Sequence, residues 1–194
     1  MAVHVLKSPV SADALAARLA AAVDSPVAVV AMGSPWRGDD AAALRVADRL
    51  AGLPGLGPRR LFNVETAPES FLIPIGTCGA KSCILLDALD AGASPGDVVL
   101  LEPEDLEHTD FTTHGLSPKA FLAALAELSG MTLLVLGIQM GPIREGDRVS
   151  DAVGRAAEAV AEALGRVCGA PPTGDTDDPP AAGTSRDGPD AHGA

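Results

Sequence analysis

The chain has no tyrosine, one tryptophan and four phenylalanines among its 194 residues. Aromatic rings are too few to fill a core, so alanine, valine and leucine must do it. Cysteine is scarce too: Cys78, Cys83 and Cys168 are an odd set with no CxxC spacing. That excludes a disulfide framework or a zinc knuckle and fits a reduced, cytoplasmic protein. Positive charge is short, with 14 Lys and Arg against 26 Asp and Glu and a net charge of −12. So acidic a chain is a poor partner for nucleic acid or an anionic membrane, and leaves room for a cation or a basic peptide. The N-terminus has no basic segment followed by an apolar one, and Asp13 and Arg18 interrupt the alanine-rich stretch at 11–23. Nothing approaches the roughly 18 apolar residues of a membrane span.

Hydrophobic residues make up 47% of the chain, enough to offset the entropy cost of folding. The length suits one domain and is short for two. Residues 170–194 are Pro, Gly and Asp without periodicity, and are expected to be a disordered tail behind one domain at 1–169. The tail holds five aspartates and one arginine, so it carries −4 and leaves −8 on the folded part.

Ser11 is placed to cap a helix over 12–23. The run VAVVAMG after Pro26 reads as a strand buried on both faces, broken at Gly33-Ser34-Pro35. A helix from about Asp39 follows, with Leu44, Ala47 and Leu50 on one face. RRLFNV at 59–64 reads as a second strand, and Pro68 opens a helix in which Phe71, Leu72 and Ile75 can face the core. SCILLDA at 82–88 and DVVLLE at 97–102 read as further strands, then a polar loop over 103–116. Ser117-Pro118 starts a helix to about 129, 131–139 is the last strong strand, and Ser150 caps a final helix over 151–167. Strands alternating with helices predict an α/β layered fold with a mostly parallel sheet.

In such a sheet, ligands collect beyond the carboxyl ends of the strands. Three segments carry polar residues there: Gly33 to Asp40, Leu85 to Ala88, and Thr112-Thr113-His114-Gly115. Asp39 has a structural explanation, since a carboxylate at a helix start caps it and complements its dipole. With Asp39 in that role, Asp40 is left to point toward Asp87. Asp87 follows four apolar positions, where an ionised carboxylate is costly unless paired or metal-bound. His114 alone is a weak signal, and its neighbours can equally cap the next helix. His108 lies among acids, and His4 and His192 lie in terminal segments. Together, Asp40, Asp87 and His114 form an N/O donor set suited to nickel, iron or zinc. No HExxH or GxxxxGK[ST] motif occurs.

Five segments, in order, bear a family likeness. GSPWRGDDAAALRVADRL resembles the GN-x3-GDDG-x-G segment of the nickel-iron hydrogenase maturation endopeptidases, and ETAPESF resembles their GGTAPE. LLDALDAGASPGDVVLLEPEDL resembles their strand-Asp-Ala stretch, TTHGLSP their TTH segment, and LGIQMGPIREGDRVSDAV their LGIQP segment. The likeness runs through about 26–168 and is nearest to the formate-hydrogenlyase-type branch. It implies a three-layer α/β/α sandwich with a mostly parallel twisted sheet, and a monomer. It implies an endopeptidase that removes the C-terminal extension of a nickel-iron hydrogenase large-subunit precursor once nickel is in place. By its motifs, Asp40, Asp87 and His114 would be the metal ligands and catalytic trio, reading nickel supplied by the substrate. Asp39 or a ligand carboxylate is a candidate general base.

The chain departs from the family pattern at Ser34 for Asn, at Ala41-Ala42-Ala43 where glycines follow the acids, and at Met140 for Pro. The altered turn motivates an alternative, a nickel-checking chaperone that binds the large subunit without cleaving it. An unrelated metal-dependent hydrolase is a third reading.

Overall fold

The computed structural model describes residues 4–103, 106, 110–111 and 118–169. The tail beyond 169 and the 112–117 segment, with His114, lie outside the described residues. In chain order the elements are β1 (His4–Leu6), α1 (Ala12–Ala22), β2 (Val27–Met32), α2 (Ala42–Leu50), α3 (Gly57–Arg60), β3 (Leu61–Glu65) and α4 (Leu72–Gly76). Then come β4 (Ser82–Asp90), β5 (Val98–Leu101), β6 (Asp110–Phe111), α5 (Pro118–Ser129), β7 (Thr132–Gln139) and α6 (Asp151–Cys168). Short 3-10 turns at Gly38–Ala41 and Pro68–Phe71 precede α2 and α4.

The strands lie in the order β1-β5-β7-β4-β2-β3, with β6 paired to β4 off that path. β3, β2, β4 and β7 are parallel. β5 runs antiparallel to β7, so the sheet is mostly parallel as expected, with its antiparallel pairing to one side of a parallel centre. Alternation along the central strands splits the core in two. Val29, Ala31, Ile84 and Leu86 face a layer that includes α1, α2 and α6. Val30, Met32, Cys83 and Leu85 face Ile75, Phe121, Leu122 and Leu125 of α4 and α5. Both faces are covered, which is why these strands read as unbroken apolar runs. The result is the expected α/β/α sandwich.

Ser11 caps α1 through its Oγ, which accepts the Ala14 N–H. In α6, Val153, Ala157, Val160 and Leu164 are all buried, as their helical spacing predicts. Two boundaries differ from expectation. β4 does not stop at Ala88 but continues to Asp90, because β7 pairs with it as far as Leu89 opposite Gln139. β3 starts at Leu61, the preceding residues being wound into α3.

β6 positions the active edge. Leu89 pairs with β7 on one side and with Phe111 of β6 on the other. That other side is the β2 side, and β2's own pairing with β4 ends at Leu86. The chain therefore passes above the end of β2 at Phe111, three residues before His114.

Candidate active site

The carboxyl end of β2 turns sharply into the acidic pair Asp39–Asp40. Gly33 has φ +134, and a Cβ there would lie 2.0 Å from the Asp40 carbonyl oxygen. Only glycine permits so close a return. Gly38, at φ +58, makes the second bend. Ser34 replaces the family's Asn in kind: its Oγ accepts the Trp36 N–H at 3.5 Å, a side-chain turn of the sort Asn also makes. This folding drives Asp39 and Asp40 inward, where both are buried.

The two neighbours have different roles. Asp39 does not cap its own helix: it lies inside the 3-10 turn, whose N-cap position is Arg37. Its Oδ1 accepts the Ser150 N–H at 2.6 Å, and its Oδ2 accepts the Gly141 N–H at 2.9 Å and the Ser150 hydroxyl at 3.1 Å. Asp39 thus clamps the start of α6 and the end of the β7 loop to the β2 turn. Ser150 holds the N-cap position of α6 as expected, but its hydroxyl donates to Asp39 and makes no capping bond to the helix.

Asp40 is 1% exposed, with the Arg37 guanidinium 3.7 Å from its Oδ2. Asp87, fully buried in β4, lies close enough to feel its charge. Asp87 Oδ1 accepts the Ala88 N–H at 2.8 Å. Among the described residues, Asp87 Oδ2 is the buried side-chain nitrogen or oxygen left with no hydrogen-bond partner. Burial first, then the Asp40 charge, pushes its pKa up to about 8, against the opposing pull of the Ala88 N–H. Among the described residues no three His, Cys, Asp or Glu side chains cluster to hold a metal. The described part of the site supplies two carboxylates.

Sequence reading missed the residues that frame these acids. Gln139 is buried at the end of β7. Its Oε1 accepts the Ala91 and Ala93 N–H groups, while its Nε2 donates to Asp90 Oδ1 and the Met140 carbonyl. Met140, where the family has Pro, donates its own N–H to the Leu89 carbonyl at 3.1 Å, a bond proline cannot make. Ala42 and Ala43 are fully buried in the core and Ala41 nearly so. The alanines that replace the family's glycines therefore fill the interior under α2 rather than crowding the approach to the acids. A cavity of about 950 Å³, lined by Leu122, Ala126, Met131 and Leu133 among others, sits at the amino end of β7 and includes none of these acids.

A family model described as HycI, hydrogenase maturation protease, matches residues 56–170, more than half of the chain. The chain belongs to the hydrogenase maturation protease family. It is a peptide hydrolase of that family, and the match to HycI agrees with the expected branch. The matched span includes Asp87 and His114, and the Asp39–Asp40 pair precedes it. The hydrogenase 3 maturation protease of Escherichia coli strain K12 is 29% identical over 112 residues, 57% of this chain and 70% of that one. The fold is similar to the crystal structure of the [NiFe] hydrogenase maturation protease HycI from Thermococcus kodakarensis KOD1. That comparison has a TM-score of 0.70 at 24% identity and covers 78% of this chain and 98% of that one. It is also similar to the solution structure of the endopeptidase HycI from Escherichia coli, with a TM-score of 0.58 at 25% identity, covering 70% and 86%. Among the described residues no helix of the protease is long and apolar enough to cross a membrane.

Proposed function

We propose that this protease removes the C-terminal extension of a nickel-iron hydrogenase large-subunit precursor after nickel insertion, and recognises the substrate-borne nickel through Asp40, Asp87 and His114. The observation that carries the reading is the bare Oδ2 of Asp87, buried beside Asp40 at the carboxyl edge. A buried oxygen without a partner is costly, and a cation brought into the site offsets that cost. The pairing of β6 supports His114 as the third donor. β6, three residues before His114 in sequence, pairs with the carboxyl end of β4.

Nickel is substrate cargo in this reading. A set of two carboxylates and an imidazole is harder than the thiolates expected to carry nickel, so it inspects the ion without stripping it. The nickel would then polarise the scissile carbonyl or activate water. Asp39, whose oxygens are all engaged, is assigned a positioning role rather than that of the base. With the alanines of the turn packed inside, the motive for a non-cleaving chaperone weakens.

The test is incubation with nickel-loaded precursor, read as a mass drop equal to the extension. Asp40→Asn, Asp87→Asn and His114→Ala should each lower processing by at least about a hundredfold, on the order expected for a reacting group. Each variant should melt as a folded protein. Full processing by any of them removes that residue from the site.

A further inference from the structure

We infer that Trp36, with Arg37, Arg144 and Arg148 around it, is the docking anchor that seats the large-subunit precursor over Asp40 and Asp87. The inference rests on the proposed function and adds the surface through which the partner is held. Trp36 is the chain's one tryptophan, and its side chain is left 75% exposed. A single exposed apolar residue is ordinary on a protein surface. Three observations set this one apart.

The first is position. Trp36 is four residues from Asp40, which is almost wholly buried. A protein substrate that reaches Asp40 must cover the turn that leads to it. The second is rigidity. The Trp36 carbonyl accepts the Gly146 N–H at 2.8 Å, and its N–H donates to Ser34 Oγ. A Cβ on Gly38 would lie 3.1 Å from Asp147 Cβ, so the 34–38 and 141–149 loops are in close contact. Asp39 ties the two ends of the second loop, Gly141 and Ser150, to the first. An anchor held this firmly gives up little entropy on binding.

The third is charge. The two loops carry Arg37, Arg144 and Arg148 against Glu145 and Asp147, a rim of net +1 on a chain whose charge is −12, with Arg37 also facing Asp40 at 3.7 Å. Trp and Arg are the residues most enriched at the energetic centres of protein interfaces. The partner surface this rim fits has an apolar recess for the indole and carboxylates beside it.

Because the chain has one tryptophan, fluorotryptophan labelling places a single fluorine reporter at the anchor. On titration with nickel-loaded precursor, its resonance should shift and saturate. Trp36→Ala, with an unchanged melting temperature, should raise KM about tenfold or more and leave kcat within about twofold. Arg144→Glu with Arg148→Glu should raise KM less, and the difference should shrink in high salt. An unmoved resonance during processing, or a Trp36→Ala KM within about twofold of the parent, overturns the inference. So does a resonance that shifts with the protein's own concentration before any precursor is added, because a second copy then covers the indole. Asp40→Asn separates this inference from the reading it rests on. A variant that shifts the resonance but does not cleave upholds both. One that cleaves fully defeats the nickel reading and leaves the Trp36 measurement standing.

Discussion

Asp87 and Asp97 are carboxylates on neighbouring parts of one sheet, each no more than 1% exposed, and their surroundings are opposite. Asp97 is fully bonded. It accepts the Ser8 and Ser94 N–H groups at 2.8 and 3.0 Å and the Lys7 ammonium at 2.9 Å. Burial raises its pKa, but the Lys7 hydrogen bond, the two amides and the Lys7 charge together outweigh that and hold it below the usual carboxylate range. It joins the end of β1 to the turn before β5. Asp87 has one amide, a bare oxygen and a like charge nearby, and its pKa is pushed up. A fully bonded buried acid is architecture, while one left short of partners is available for chemistry. Asp39, with both oxygens bonded, falls on the architectural side.

The sharpest way to break this comparison is at Asp87 itself. Asp87→Asn should lose processing yet stay within about 1 kcal/mol of the parent in denaturant unfolding, because no satisfied network is removed. A loss of several kcal/mol would make Asp87 a structural acid. Asp39→Ala should do the reverse to the fold. It removes the acceptor of the part-buried Gly141 and Ser150 amides at both ends of the β7–α6 loop, and should cost about 3 kcal/mol.

Asp97→Ala should cost about 2 kcal/mol, less than Asp39→Ala, because the released Lys7 can turn to water. Its pH dependence has a definite sign. The folded-state pKa lies below the unfolded one, so the contribution is whole above about pH 4. It is lost as pH falls through the folded-state value. Asp97→Asn should therefore flatten the acid side of a stability-against-pH curve, and an unchanged acid limb would contradict the bonding seen.

The smallest expected effect is at Glu65. This residue holds φ +49 at the end of β3, where the family's GGTAPE segment has glycine. Glu65→Gly should relieve left-handed strain and raise stability by roughly 0.5–1 kcal/mol, read from the melting temperature.

Much of this was legible in the residues. The apolar runs of β2, β4 and β7 and the periodicity of α6 are local patterns, and the structure keeps them within a residue or two. β1 was missed because three residues, two of them exposed, carry no pattern above background. The orientation of β5 was not legible because an apolar run reads the same in either direction. Asp40 and Asp87 were legible as acids at a sheet edge, and the family motifs chose between Asp40 and Asp39.

The alternation of the main strands and helices, the two-faced burial of the central strands and the choice of acids to watch were determined by the sequence alone. All of these depend on residues a few places apart, through side-chain period, turn chemistry and the cost of burying charge. Which acid became scaffold was decided only by the tertiary structure. The partners of Asp39 lie 102 and 111 residues away, and no local pattern announces a donor at that distance. The bare oxygen of Asp87 is likewise a fact about what the folded chain does not bring near it.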